Sequence, residues 1–178
     1  MSSSTWVFGY GSLIWKPQEA YLSVQPAVLS GWSRRFWQGS HDHRGTPEQP
    51  GRVVTLVADA TARCEGLAFE FSGDVIQKTF EDLDHREKNG YERADVDLQF
   101  TSGAVQPAIT YIAHPGNFAW AGAAPEPEIA RQIASSHGPS GSNMDYLIEL
   151  AQALRQHQFT DSHVFELERQ LRMITSDP

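Results

Sequence analysis

The run A-D-V-D-L-Q-F-T-S-G-A-V-Q-P-A-I-T-Y-I-A-H, Ala94 to His114, decides the fold. Ala94 to Phe100 and Ala108 to His114 each alternate as half-buried strands do. Thr101-Ser102-Gly103 follows the first and Pro115-Gly116-Asn117 the second, both turn-forming. No helical pattern lies between the two strands. Working outward, Trp6 to Tyr10, Arg52 to Ala58 and Gly66 to Phe71 also read as short strands. They are not each followed by a helix, which argues against a doubly wound parallel sheet. The expected class is α+β: a small, mostly antiparallel or mixed β-barrel with surrounding helices.

The helices come later. Ile76, Phe80 and Leu83 stand at helical spacing after Ser72-Gly73-Asp74, a cap-like start. A second helix begins near Pro125 or Pro127, carries Ile129, Ala130 and Ile133, and stops at Gly138-Pro139. A third starts at Ser142-Asn143-Met144-Asp145, a capping box with Asp in the Glu/Gln place. It carries Leu147, Leu150 and Leu154. The last carries Val164, Leu167 and Leu171.

The chain has 178 residues, 40% apolar and 20% charged, with a formal net charge of −8. That suits one soluble domain, residues 1–178. An acidic surface argues against nucleic-acid and anionic-membrane partners, which need a basic footprint. A single cysteine, Cys64, precludes an internal disulfide and points to a reducing compartment. Met1 to Trp6 resembles no signal peptide, and no apolar run is long enough to span a membrane. A cytoplasmic protein is expected.

Near the start stands T-W-V-F-G-Y-G-S-L-I-W-K-P, Thr5 to Pro17. Gly9-Tyr10-Gly11-Ser12 lacks the third glycine of a dinucleotide fingerprint and the Gly-Lys-Ser/Thr of a phosphate loop. A nucleophile elbow needs glycine where Tyr10 stands, so Ser12 is a weak nucleophile. What remains is a strand ending in a turn of successive N–H groups, a concave donor site for a carboxylate or an oxyanion. The plainer alternative is a tight turn packed by aromatics.

The second feature is F-E-D-L-D-H-R-E-K-N-G-Y, Phe80 to Tyr91. Glu87 continues the Ile76–Phe80–Leu83 stripe, the four lying within roughly 60° of arc at about 100° per residue. If the helix runs on to Lys88, Glu87 faces the core or a cleft, and Asn89-Gly90 stops the helix. Burial and the negative end of the helix dipole both disfavour its charged form, the setting of a general base. If the helix frays earlier, Glu87 is an exposed glutamate beside Arg86 and Lys88.

Other candidates carry less. His41-Asp42-His43 lies in a polar loop with no companion ligand set, so no metal is expected. Cys64 has no motif around it and reads as a structural thiol. Gly31 to Ser40 mixes arginine with aromatics but fits an exposed strand face.

V-F-G-Y-G-S-L-I-W-K-P, G-W-S-R-R-F-W, D-H-R-G-T-P-E-Q-P-G-R-V, L-D-H-R-E-K-N-G-Y and I-A-R-Q-I-A-S-S-H-G-P-S-G-S-N-M-D-Y-L follow in that order. The set, spanning roughly Trp6 to Arg155, resembles the ChaC-like, glutathione-specific γ-glutamylcyclotransferase family. The resemblance implies a small barrel with helices, and cleavage of glutathione to 5-oxoproline and cysteinylglycine. It places the substrate loop on Tyr10, Gly11, Ser12 and Leu13 and the catalytic glutamate on Glu87. Asn89 departs from the glycine expected in many relatives, a mild change because Asn tolerates left-handed torsions.

The expected partner is glutathione, a small-molecule substrate, with no cofactor and a monomer or weak homodimer. Arg44, Arg86, Tyr91 and Tyr146 are all open as holders of the substrate carboxylates. Two alternatives stand beside this: a cyclotransferase for another γ-glutamyl amine, and a non-catalytic γ-glutamyl-binding regulator.

Overall fold

In the computed structural model the Ala94 to His114 run folds as β4 (Glu92–Phe100) and β5 (Val105–Ile112). They pair antiparallel from Glu92↔Ile112 to Gln99↔Val105. The turn between them closes through Gly103 N–H to the Phe100 carbonyl at 2.9 Å, with Gly103 at φ +88°. That left-handed torsion is why glycine stands there.

The structure describes residues 3–18 and 20–176. The remaining strands of the barrel are β1 (Ser4–Gly9), β2 (Ser23–Ser40) and β3 (Gly51–Ser72). β1 runs antiparallel to β3 from Ser4↔Ser72 to Gly9↔Leu67, and parallel to β5 at Trp6↔Ala108 and Val7↔Ile109. β2 pairs antiparallel with β4 at Ala27↔Phe100. The order β1-β3-β2-β4-β5 closes on itself, so the barrel leaves no free sheet edge. The expected mixed barrel with helices is the observed fold.

Two strands differ from expectation. The stretches Arg52 to Ala58 and Gly66 to Phe71 are parts of one continuous strand, β3. Between them Ala58-Asp59-Ala60-Thr61-Ala62-Arg63 has no large apolar residue, so it reads as a gap, yet ladder pairing needs only the backbone. β2 is one long strand of 18 residues that absorbs the arginine–aromatic stretch, which is not the exposed face expected: Arg34, Phe36, Gln38 and Ser40 are buried.

The residues cluster into two compact units, 1–33 with 58–112 and 34–57 with 113–178. β2 and β3 each contribute residues to both. In the first unit Val7, Phe8, Phe69, Phe71, Leu83 and Leu98 are buried. Its helix α1 (Gly73–Arg86) starts at Ser72, and Gly73 N–H bonds the Ser3 carbonyl at 2.7 Å.

The second unit holds α2 (Glu126–Ser135), a small β6–β7 pair (His137–Gly138 and Gly141–Ser142), α3 (Asn143–Gln156) and α4 (Ser162–Ser176). Its core is Phe36 with Ile129, Ile133, Leu147, Leu150 and Leu167. α2 ends three residues before the expected Gly138-Pro139 stop, because the chain turns extended at Ser136. Ser142 caps α3 as expected, its Oγ accepting from Asp145 N–H at 3.1 Å. Asn143 is fully buried: its Oδ1 accepts from Arg52 N–H and its Nδ2 donates to the Arg52 carbonyl, both at 2.8 Å. Among the described residues no helix is long and apolar enough to cross a membrane.

Candidate active site

β1 ends at Gly9, and the chain turns through Tyr10 and Gly11 into a short 3-10 helix, Ser12–Ile14. A Cβ on Gly9 would lie 2.8 Å from Leu13 Cβ and 3.2 Å from the Phe69 ring, so only glycine lets the loop fold this tightly. Ile14 N–H bonds the Gly11 carbonyl at 3.0 Å; the N–H groups of Trp15 and Lys16 both turn to the Ser12 carbonyl. The N–H groups of Gly11, Ser12 and Leu13 stand at the start of that turn, outside its bonding ladder, and make no backbone hydrogen bond among the described residues. Tyr10 is buried, and its hydroxyl donates to the Tyr111 carbonyl at 2.6 Å, pinning the loop to β5.

Glu87 caps the far end of α1. The helix stops at Arg86, not Lys88, with Glu87 at φ −98° and ψ 16°. Its N–H nonetheless reaches the Leu83 carbonyl at 2.8 Å, so the cap residue keeps the i→i−4 bond. Glu87 therefore stays near the Leu83 stripe, recessed but not sealed, with 20% of its side chain exposed. Burial pushes its carboxyl up from the ordinary value, and the Arg86 guanidinium pulls the other way. Of the two charge arguments made from the sequence, burial is the leading cause.

Downstream, the left-handed torsion falls on Gly90, at φ +93°, while Asn89 keeps a negative φ. The Asn89 departure thus occupies a position that never needed glycine's freedom.

Arg86 joins the two features. Its Nη2 donates to Ser12 Oγ at 2.7 Å and its Nη1 to the Lys16 carbonyl at 2.9 Å. Its Nε lies 4.0 Å from Glu87 Oε1. Ser12 Oγ is thus engaged by a cation, and among the described residues no histidine or carboxylate bonds to it as a base. A serine so placed is not an activated nucleophile.

Three neighbours escaped the sequence reading. Tyr111 on β5 donates its hydroxyl to Asp84 Oδ1 at 2.6 Å, and Arg93 on β4 pairs with Asp84 Oδ2 at 3.1 Å. The Arg93 guanidinium also lies over the Phe80 ring at 4.9 Å. Burial first, then the Asp84 bond and the nearby Asp84 and Glu87 charges push the Tyr111 hydroxyl well above the usual range. The only sequence signal was that Asp84 lies three residues before Glu87 in the chain.

Of the four carboxylate-holding candidates, Arg86 belongs to this cluster. Tyr91 follows Gly90, half-buried, just before β4. Arg44 and Tyr146 are in the second unit, where the Arg44 guanidinium lies 5.6 Å from the Tyr146 ring centre and donates to the Ser142 carbonyl. Cys64 is buried. Among the described residues no cluster of three or more His, Cys, Asp or Glu could hold a metal ion.

The model of the family described as ChaC-like protein matches residues 5–174. This chain belongs to the ChaC-like family. The ChaC-like chain is 42% identical over 176 residues to a zebrafish (Danio rerio) protein named glutathione-specific γ-glutamylcyclotransferase 1. The match covers 95% of this chain and 89% of that one. A Schizosaccharomyces pombe protein named glutathione-specific γ-glutamylcyclotransferase is 35% identical, over 95% of this chain and 93% of the relative. Among solved structures, the glutathione-specific γ-glutamyl cyclotransferase from yeast superimposes with a TM-score of 0.90 at 33% identity, covering 96% of each chain. A structure titled γ-glutamyl cyclotransferase, at 12% identity and a TM-score of 0.60, shares the fold alone.

Proposed function

We propose that this ChaC-like protein is a glutathione-specific γ-glutamylcyclotransferase, a lyase that converts glutathione to 5-oxoproline and cysteinylglycine. The relatives named for this activity match nearly the whole chain. The observation that carries the mechanism is Glu87, a recessed carboxylate whose burial favours its proton-accepting use, joined through Arg86 to the Ser12 loop.

The reaction is internal to the substrate. The α-amine of the γ-glutamyl unit attacks its own γ-carbonyl carbon, a new C–N bond closes a five-membered ring, and the amide bond to cysteine breaks. A free α-amine titrates at about pH 8, so at neutral pH it must first lose a proton. Glu87 takes that proton and returns it to the departing cysteinyl nitrogen. The N–H groups of Gly11, Ser12 and Leu13, with Tyr10 fixing the loop, hold γ-glutamyl oxygens and offset charge on the tetrahedral intermediate. Holding the substrate folded supplies the proximity term. This chemistry calls for no cofactor. The enzyme works in the cytoplasm, as a monomer or weak homodimer, on free glutathione.

The test is 5-oxoproline release from glutathione by purified wild type and Glu87→Gln. The variant should bind glutathione in calorimetry while kcat falls by about 10²- to 10⁴-fold. Normal turnover by Glu87→Gln would remove Glu87 from the mechanism.

A further inference from the structure

We propose that Arg86 is a positioning residue, not a substrate holder: it fixes the loop through the Lys16 carbonyl and turns the Ser12 hydroxyl into a dedicated donor to substrate. The inference rests on the γ-glutamyl reading of the site and deepens it.

A guanidinium has only donors; a hydroxyl has one proton and two lone pairs. Arg86 Nη2 gives a proton to Ser12 Oγ at 2.7 Å, so the hydroxyl proton must point elsewhere. No bond from that proton to a protein acceptor occurs among the described residues. A γ-glutamyl oxygen, carboxylate or carbonyl, is the partner the geometry leaves for it, beside the loop N–H groups.

The other arm of the fork, Nη1, holds the Lys16 carbonyl at 2.9 Å, beyond the 3-10 turn. One planar group thus grips the loop at two points 4 residues apart while rooted on α1 next to the base. Lysine could not reproduce this, because it lacks the rigid fork. The guanidinium also lies 4.0 Å from Glu87 Oε1, so its charge helps to hold Glu87 ionised. Arg86 therefore acts through two other residues, and the two effects are separable.

The experiment is a double-mutant cycle on the full chain, read as 5-oxoproline release against glutathione concentration and pH. Ser12→Ala should lower kcat/KM about tenfold, mainly through KM, the loss of one charge-assisted hydrogen bond. Arg86→Gln should lower it at least as far, and the double variant should fall no further than Arg86→Gln alone, since the Ser12 contact is already spent. Arg86→Gln should also move the acid limb of kcat/KM to higher pH, because removing a cation beside Glu87 makes it easier to protonate. Ser12→Ala should leave that limb in place. Arg86→Lys should keep the limb but not recover kcat/KM.

Multiplicative effects of Ser12→Ala and Arg86→Gln would overturn the proposal and return Arg86 to direct substrate contact. An unmoved KM in Ser12→Ala would also overturn it. Should Arg86→Gln fail to fold, the Arg86→Lys and Ser12→Ala cycle decides by the same non-additivity. If the wild type releases no 5-oxoproline, the proposed reaction falls, and the cycle is read from glutathione affinities by calorimetry. Absence of glutathione binding in every form would overturn both.

Discussion

Tyr111 on β5 gives its one hydroxyl proton to Asp84 on α1, at 2.6 Å, and Arg93 takes the other carboxylate oxygen at 3.1 Å. The bond ties the barrel wall to the helix that Glu87 caps.

Tyr111→Phe should therefore cost stability. A buried hydrogen bond to a charged group is worth more, but Asp84 is partly exposed, so about 1 kcal/mol is expected. Denaturant midpoints at unchanged m-value measure it. Asp84→Asn should remove most of the same increment, and the double variant should not sum the two.

Glu87 predicts a pH-dependent stability. Its folded pKa lies above the ordinary 4.5, so the folded state is penalised for ionising it. The contribution favouring the fold is fully present below the unfolded pKa and is lost as pH rises through the folded one. Glu87→Gln carries no such loss. Its melting temperature should exceed that of the wild type at pH ~7 and the difference should shrink as pH falls toward ~4. Equal differences at both pH values would contradict the burial of the carboxylate.

Asn143 makes the sharpest stability prediction in the second unit. It is fully buried and satisfies both the N–H and the carbonyl of Arg52. Asn143→Ala strands both backbone groups, and a loss of about 2–4 kcal/mol is expected by denaturant unfolding. A loss under 1 kcal/mol would mean that these groups find other partners.

The patterns legible in the sequence were those made by neighbours in the chain. The alternation of Ala94–Phe100 and Ala108–His114 around Gly103 gave β4, its turn and β5. The capping pattern at Ser142 gave the start of α3. The stripe Ile76, Phe80, Leu83 led to Glu87, although the helix ends one residue before it and the retained bond to Leu83 keeps it near the stripe. The continuity of β3 was not legible, because Asp59 to Arg63 lack the large apolar side chains that mark a strand, yet the strand runs through them.

Spacing and order along the chain sufficed for the barrel-and-helix class, the family, and a glycine loop without the motifs of nucleophile or phosphate chemistry. Each rests on spacing within a short stretch or on the order of such stretches. Only the tertiary structure decided what Arg86 does. Its partners Ser12 and Lys16 lie 74 and 70 residues away. Tyr10 and Tyr111 meet across 101 residues. A guanidinium offers the same five donors wherever it stands, so its role is set by which acceptors the fold brings within 3 Å, and no local pattern encodes that.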